Sequence, residues 1–506
     1  MIAEISWSSQ SAFPLLGTLV ALPLVFMTLA WTVRSSRQAF LLGVCGSLLE
    51  LALSVWLLAH FRMDTADLQF VERVPITSLL SYHLGVDGIG ILFVLLTALL
   101  TFLVILHGEI VDERPAGIYV ASVFAFQAVL MGLFLSLDLL EFWVICALEL
   151  IPATFILKRW GNGLGRDKAV SRYLQHMSGA LALMLAGILI LGWQHADATG
   201  FWSFALTDLL AAPLNKRDQD IAFMLFLFGL APRLGLFPFH AWLPKVAQYG
   251  PLATLCVFLV GLKAGVYGLL RFVLPLTPDA AEAWKGFVVI LAVTGIFYGA
   301  LLALMQINLR RLLAFAAVSH TGVLAIGAFC LNRAGLQGAL LLAINFGAAA
   351  AGLLFATGIL SRSTRSTLLP RLGGMFDLLP LVGLTFLVAA LSTMAMPGTP
   401  GFDAAHLLME GAIESHHWGI AVVVASGSVA SAGFLLWAFQ RAFLARRRDN
   451  ALHPEKIRLS LPELTLTAAI CAVLLGVGFY SRPWLELVDT SLTRLALHLE
   501  HSAPQP

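Results

Sequence analysis

Apolar residues run through this chain in long blocks separated by shorter polar connections, and the length of the blocks is diagnostic. A bilayer core of about 30 Å takes about 20 residues of helix to cross. Fourteen blocks approach that size, near 12–33, 39–60, 87–107, 117–137, 139–158, 173–194, 219–243, 251–274, 286–306, 309–331, 337–360, 378–396, 417–443 and 463–480. The pattern predicts an all-α, polytopic membrane protein of about 14 transmembrane helices. The longer polar connections, among them His60–Thr77, Lys158–Arg172 and His195–Asp220, read as loops too short to hold a soluble domain.

Two of the predicted helices read as broken. Near 229–244 the apolar run is interrupted by Gly229, Pro232, Gly235 and Pro238; near 396–403 it is interrupted by Pro397, Gly398, Pro400 and Gly401. Proline removes a backbone donor, and the carbonyl it strands must be satisfied by protein or water at membrane depth. Breaks about 160 residues apart, in corresponding places of two halves, point to paired repeats with ion sites at the breaks. The expected division is N-terminal helices over 1–110, a first repeat over 111–275, a second over 276–445, and a C-terminal helix and tail over 446–506.

Composition supports the membrane reading. The chain is 59% hydrophobic and 12% charged, against about 25% charged in soluble globular proteins. The net charge of +2 carries no sign of a nucleic-acid partner; lipid is the expected surrounding. Arg446, Arg447 and Arg448 form the clearest basic run and read as a positive-inside anchor at a helix end. Cys45, Cys146, Cys256, Cys330 and Cys471 stand singly in apolar stretches, a pattern of small buried residues rather than of a disulfide or metal framework.

Against that background, ionisable residues inside the blocks stand out, because each costs about 2.5–3.5 kcal/mol on insertion scales and marks a functional site by default. Lys263 is about eight residues from the nearer helix end, at about 1.5 Å per residue. It therefore reads as an ion-path lysine able to take up and release a proton, with snorkelling as the alternative. Arg233 sits beside the first break and stays charged, so it can fix a carboxylate or set the potential but cannot relay a proton. Glu149 is the expected partner for one of these cations, in an ion path or a structural salt bridge. His320 reads as a proton relay or as a histidine bonded in a helix interface. His240, just past the first break, reads as an interfacial histidine beside Trp242. Asp403, His406 and Glu410, spaced by three and four residues, share one helix face near the membrane surface.

With these residues in view, the chain resembles the antiporter-like membrane subunits of type I NADH dehydrogenases, the NuoM/NdhD branch. The resemblance rests on Tyr82-His-Leu-Gly-Val-Asp87-Gly-Ile, Glu149-Leu-Ile-Pro152 with Trp160-Gly161, and Phe237-Pro-Phe-His240-Ala-Trp-Leu-Pro244. Gly261-Leu-Lys263 through Arg271-Phe272, Asn308-Leu-Arg310-Arg311, Ser319-His320-Thr-Gly322 and Met396-Pro-Gly-Thr399 complete it. It implies fourteen core helices, inverted repeats and a central axis of charges along which protons move, with Lys263 and His320 at matching positions. Four departures accompany it: the family's ionisable residues fall on Ala147, Arg233, Phe346 and Ala405. Glu149, two residues beyond Ala147, is expected to point away from the axis, since two residues are more than half a helical turn.

The leading function is a proton-translocating membrane-arm subunit coupled to redox or partner chemistry. The chain has no quinone, flavin or nickel motif of its own, so redox cofactors belong to partner subunits. The alternatives are a non-conducting scaffold paralogue, a subunit of a multi-subunit cation/proton antiporter, or the membrane half of an inorganic-carbon uptake complex with a carbonic-anhydrase-like soluble partner. The expected residence is a bacterial inner membrane or a thylakoid membrane.

Overall fold

A computed structural model of the protein describes residues 3–77, 80–111, 114–212, 214–251, 263–446 and 459–502. Helices follow the apolar blocks closely. The first half holds α1 (Leu15–Thr32), α2 (Ser36–His60), α3 (Ile91–Val111), α4 (Ala116–Leu135), α5 (Leu139–Leu148), α6 (Leu150–Trp160) and α7 (Arg166–Thr199). A short α8 (Leu206–Ala211) precedes α9 (Lys216–Leu234) and α10 (Leu243–Tyr249). Residues 263–276 are again helical, with a π turn at Leu269–Val273. There follow α11 (Pro278–Leu304), α12 (Leu309–Ala328), α13 (Arg333–Thr364), α14 (Pro380–Thr393) and α15 (Pro400–Ser415). Last come α16 (Trp418–Phe439), α17 (Leu461–Phe479) and α18 (Arg482–Ser502).

Among the described residues, eleven helices are long and apolar enough to cross a membrane, counting α5 and α6 as one, and the shorter α14 accompanies them. Residues 252–262 of the block 251–274 fall outside the described residues, Cys256 among them, as do Arg447 and Arg448. The most enclosed spans are α3, α4, α12 and α13, whose apolar residues point inward all round. Helices of that kind sit at the centre of a bundle, whereas α1, α2, α16 and α17 leave broad apolar faces for lipid or neighbours.

One polar connection carries extended structure beside the helices. The connection His60–Thr77 is not all loop: Leu68–Pro75 forms strand β2, paired in parallel with β1 (Glu4–Ser6) and antiparallel with β3 (Ser81–Val86). Phe70, Val71 and Val74 favour a strand, but the stretch is shorter and more charged than a spanning helix, so a search for apolar blocks passes over it.

Candidate functional site

The two sequence breaks are real ends of helices, and each is closed by side chains from the next layer. At the first, α9 stops after Leu234 because Gly235 adopts a left-handed φ of 72°, which a residue without Cβ does without strain. The Leu236 N–H returns to the Ala231 carbonyl at 3.0 Å. Trp242 Nε1 donates to the Pro232 carbonyl at 3.1 Å, and Thr321 Oγ on α12 lies 3.0 Å from the Leu234 carbonyl. The carbonyls that a membrane would leave stranded are thus met by protein.

The second break repeats the device about 160 residues later. Ala395 takes a φ of 58°, and the Met396 N–H reaches back to the Leu391 carbonyl at 3.1 Å. Here Asn345 on α13 exchanges two bonds with Ser392: its Nδ2 donates to the backbone carbonyl at 3.1 Å, and the Ser392 hydroxyl donates to its Oδ1 at 2.6 Å. Each break is therefore pinned to the helix that carries a residue of the expected charged axis, Thr321 beside His320 and Asn345 beside Phe346.

The ionisable groups meet around these ends. Arg233, one residue from the end of α9, is 2% exposed and ion-paired to Glu149; its second guanidinium nitrogen donates to the Cys146 carbonyl at 2.6 Å. This corrects the expected orientation of Glu149. The carboxylate does not point away: the backbone stays helical through Glu149, whose side chain is buried against Arg233 while Leu148 and Ile151 face outward. Arginine's longer, forked side chain meets it there.

Lys263 is equally buried, and no carboxylate pairs with it among the described residues. Its helix packs on the first break, with Gly265 against Leu234. Its ammonium lies 4.7 Å from the centre of the Phe346 ring, a cation–π contact. Phe346 in turn stacks on His320, with ring centres 4.0 Å apart and planes 23° apart. Neither ring nitrogen of His320 has a protein hydrogen-bond partner. Lys263, Phe346 and His320 form a continuous contact in which the middle member can neither donate nor accept a proton. Beside Phe346 is a cavity of about 30 Å³, lined by Leu243, Leu313 and Leu353 with Arg310 and Thr393 as polar members. That is room for a water or two, though with few partners for them.

The other sequence candidates lie off this row. His240 is buried among aromatic rings, 5.2 Å from Tyr298 and 5.8 Å from Phe237. Asp403 borders an apolar cavity of about 330 Å³. His406 and Glu410 are exposed on the outer face of α15, while Ala405 points inward.

A second buried pair was not singled out as a site. Arg271 Nη1 donates to Asp87 at 2.8 Å, and its Nε donates to the Tyr267 hydroxyl at 3.3 Å, which itself donates to the Ser136 carbonyl at 3.1 Å. Both ends belong to motifs already quoted for the resemblance. What sequence could not supply was their meeting, 184 positions apart.

A family model described as "NADH:quinone oxidoreductase/Mrp antiporter, TM" matches residues 136–431. The chain is 29% identical to NADH-quinone oxidoreductase subunit M of Escherichia coli K12, over 94% of this chain and 96% of that one. It is 30% identical to F(420)H(2) dehydrogenase subunit M of Methanosarcina mazei, over 85% and 88%. Its fold superposes on a chain of respiratory complex I from Thermus thermophilus with a TM-score of 0.86, at 28% identity, covering 96% of this chain and 99% of that one.

Proposed function

The chain belongs to the NADH:quinone oxidoreductase/Mrp antiporter membrane family, and from that premise we propose that it is a proton-translocating subunit in the membrane arm of a multi-subunit redox complex. It is an integral membrane protein, and a bacterial inner membrane is its place. Its partners include other membrane-arm subunits, and the redox cofactors sit in other chains of the complex. The relatives named above are dehydrogenase or respiratory subunits, which favours a redox partner over a carbonic-anhydrase-like one.

One observation carries the proposal. Lys263, a cation buried at the first helix break without an acidic partner among the described residues, contacts the Phe346 ring that stacks on His320. An unpaired ammonium in an apolar interior is held there at a cost of several kcal/mol, and unlike the neighbouring Arg233 it can release its proton. In this reading the proton row runs through Lys263 and His320. Arg233, paired with Glu149, sets its potential without relaying a proton, because arginine keeps its charge. In the same reading each break lies within one of two repeats, 111–275 and 276–445, with Lys263 in the first and His320 in the second.

Lys263→Arg keeps the charge and removes the exchangeable proton; Lys263→Ala removes both. In the intact complex reconstituted in vesicles, both lower proton translocation per redox turnover. Unchanged stoichiometry in Lys263→Arg and Lys263→Ala overturns the assignment. Phe346 favours a second reading, a scaffold that conducts nothing, and that same unchanged stoichiometry is its signature.

A further inference from the structure

The innermost surface of α2 carries Gly43, Gly46, Ser47, Glu50, Ser54 and Leu57, a stripe of small and polar residues with one carboxyl at its middle. Glu50 is fully buried, and neither of its oxygens has a hydrogen-bond partner. Gln127 on α4 is in the same condition: fully buried, with neither amide oxygen nor amide nitrogen partnered.

Packing puts the two on one level. Gly43 lies against Ile105 of α3 and Val120 of α4, and Gly46 lies against Phe124 of α4. The α2 and α4 helices therefore run in the same direction in register, while α3 runs against them. Seven residues make about two turns and return to the same face. Two turns past Gly43 is Glu50, two turns past Val120 is Gln127, and two turns before Ile105 is Ala98, flanked by Thr97 and Thr101.

The hydroxyls around this level are already committed as donors. Ser47 Oγ donates to the Gly43 carbonyl at 2.8 Å, and Ser54 Oγ to the Glu50 carbonyl at 2.9 Å. Thr97 donates to Phe93 at 2.7 Å, and Thr101 to Thr97 at 2.8 Å. Each has spent its single proton on its own helix and offers only lone pairs to the space between. A carboxyl placed among oxygen acceptors, at membrane depth, calls for a cation.

We propose that Glu50 and Gln127 form a second ion site between α2, α3 and α4, holding one monovalent cation, a proton or Na⁺, apart from the row of Lys263. The Glu50 carboxyl is the charged ligand, the Gln127 amide the second, and the Thr97 and Thr101 hydroxyl oxygens complete the polar layer. No other ionisable group of these helices stands on this level among the described residues. The α1 helix carries none; His107 and Glu109 of α3 and Tyr119 of α4 lie about two turns or more away by the same register.

The test is infrared difference spectroscopy on the whole complex, comparing wild type with Glu50→Gln. A carboxyl band absent from the variant that titrates with pH and ignores added NaCl identifies a proton site. The same band converting to carboxylate on addition of NaCl at fixed pH identifies a Na⁺ site. Gln127→Leu should shift that band, and a spectrum indifferent to Gln127 removes the amide from the site. A Glu50 band that changes neither between pH 5 and 10 nor with NaCl overturns the proposal and leaves Glu50 a structural residue. Loss of proton translocation in Lys263→Arg with an unchanged Glu50 band keeps the two sites separate.

Discussion

Phe346→His asks whether the phenyl ring is what interrupts the row. The ring stands 4.7 Å from the Lys263 ammonium and 4.0 Å from the His320 ring, so an imidazole in the same rotamer fills most of the same space. Two energies oppose each other. Without the phenyl ring the desolvated ammonium forgoes about 0.5–2 kcal/mol of cation–π attraction. A hydrogen bond offered to His320 relieves about 1–3 kcal/mol, the cost of a buried polar atom left unmade. These nearly cancel, so global stability should stay within about 1 kcal/mol of wild type. The transfer barrier does not cancel, because nitrogen replaces carbon between two groups that can exchange protons. Removing about 1.4 kcal/mol from a barrier raises a rate tenfold. The expected result is about a tenfold rise in proton flux down an imposed pH gradient, read with a pH-sensitive dye in vesicles holding the intact complex, its redox partners idle. Phe346→Leu frees space but brings no nitrogen and should leave the flux unchanged. If the histidine and leucine variants carry protons equally, or neither differs from wild type, the ring is not the interruption.

Two further outcomes follow from the ion pairs. Glu149→Gln leaves Arg233 buried and uncompensated, which should cost about 3–5 kcal/mol in detergent-unfolding measurements. Glu149→Gln combined with Arg233→Met should lie nearer wild type than the single variant, and a worse double variant would refute the pairing. Asp67 is held below its usual range first by the bond from Arg494, at 2.8 Å, with Thr65 and the Ala3 N–H adding to it. A lowered carboxyl favours the folded state above its ordinary value near 4 and loses that contribution as pH falls through the lower one. Hydrogen exchange over 482–502 should thus be pH-independent, after correction for the intrinsic exchange rate, above about 5 and accelerate below about 4, with Asp67→Asn already fast at pH 7. A wild-type profile flat to pH 2 would show that the bond does not hold α18.

Most of the membrane helices were legible because bilayer thickness imposes one length on them all, and both breaks were legible because proline and glycine have few uses at that depth. What stayed hidden depends on angles and distant meetings. Glu149 is buried because Arg233 reaches it from α9, a meeting that spacing along a single helix does not give. The α18 helix escaped a search for apolar blocks because only one side is buried, through Leu487, Val488, Leu492, Leu495, Ala496 and Leu499. Lys263 and His320 stand out in the sequence as ionisable groups inside apolar blocks, but the phenyl ring joining them is a matter of how three helices pack. Glu50, in a helix of ordinary appearance, was passed over for lack of a neighbouring break.

The position of α18 also sets a clock. Arg494 reaches Asp67 across 427 residues of chain, and Ser491 receives the Gly88 N–H across 403. His498 bonds the Pro275 carbonyl at 3.0 Å, and Asp489 takes Arg333 at 2.8 Å. Synthesis runs at about 5–20 residues per second, so the roughly 400 residues between Asp67 or Gly88 and its partner on α18 take about 20–80 s. Throughout that interval the early helices are already threaded while Asp67 and Gly88 await their partners. During biogenesis the half-built bundle must be sheltered by the insertion machinery or by lipid until its last helix arrives to latch it.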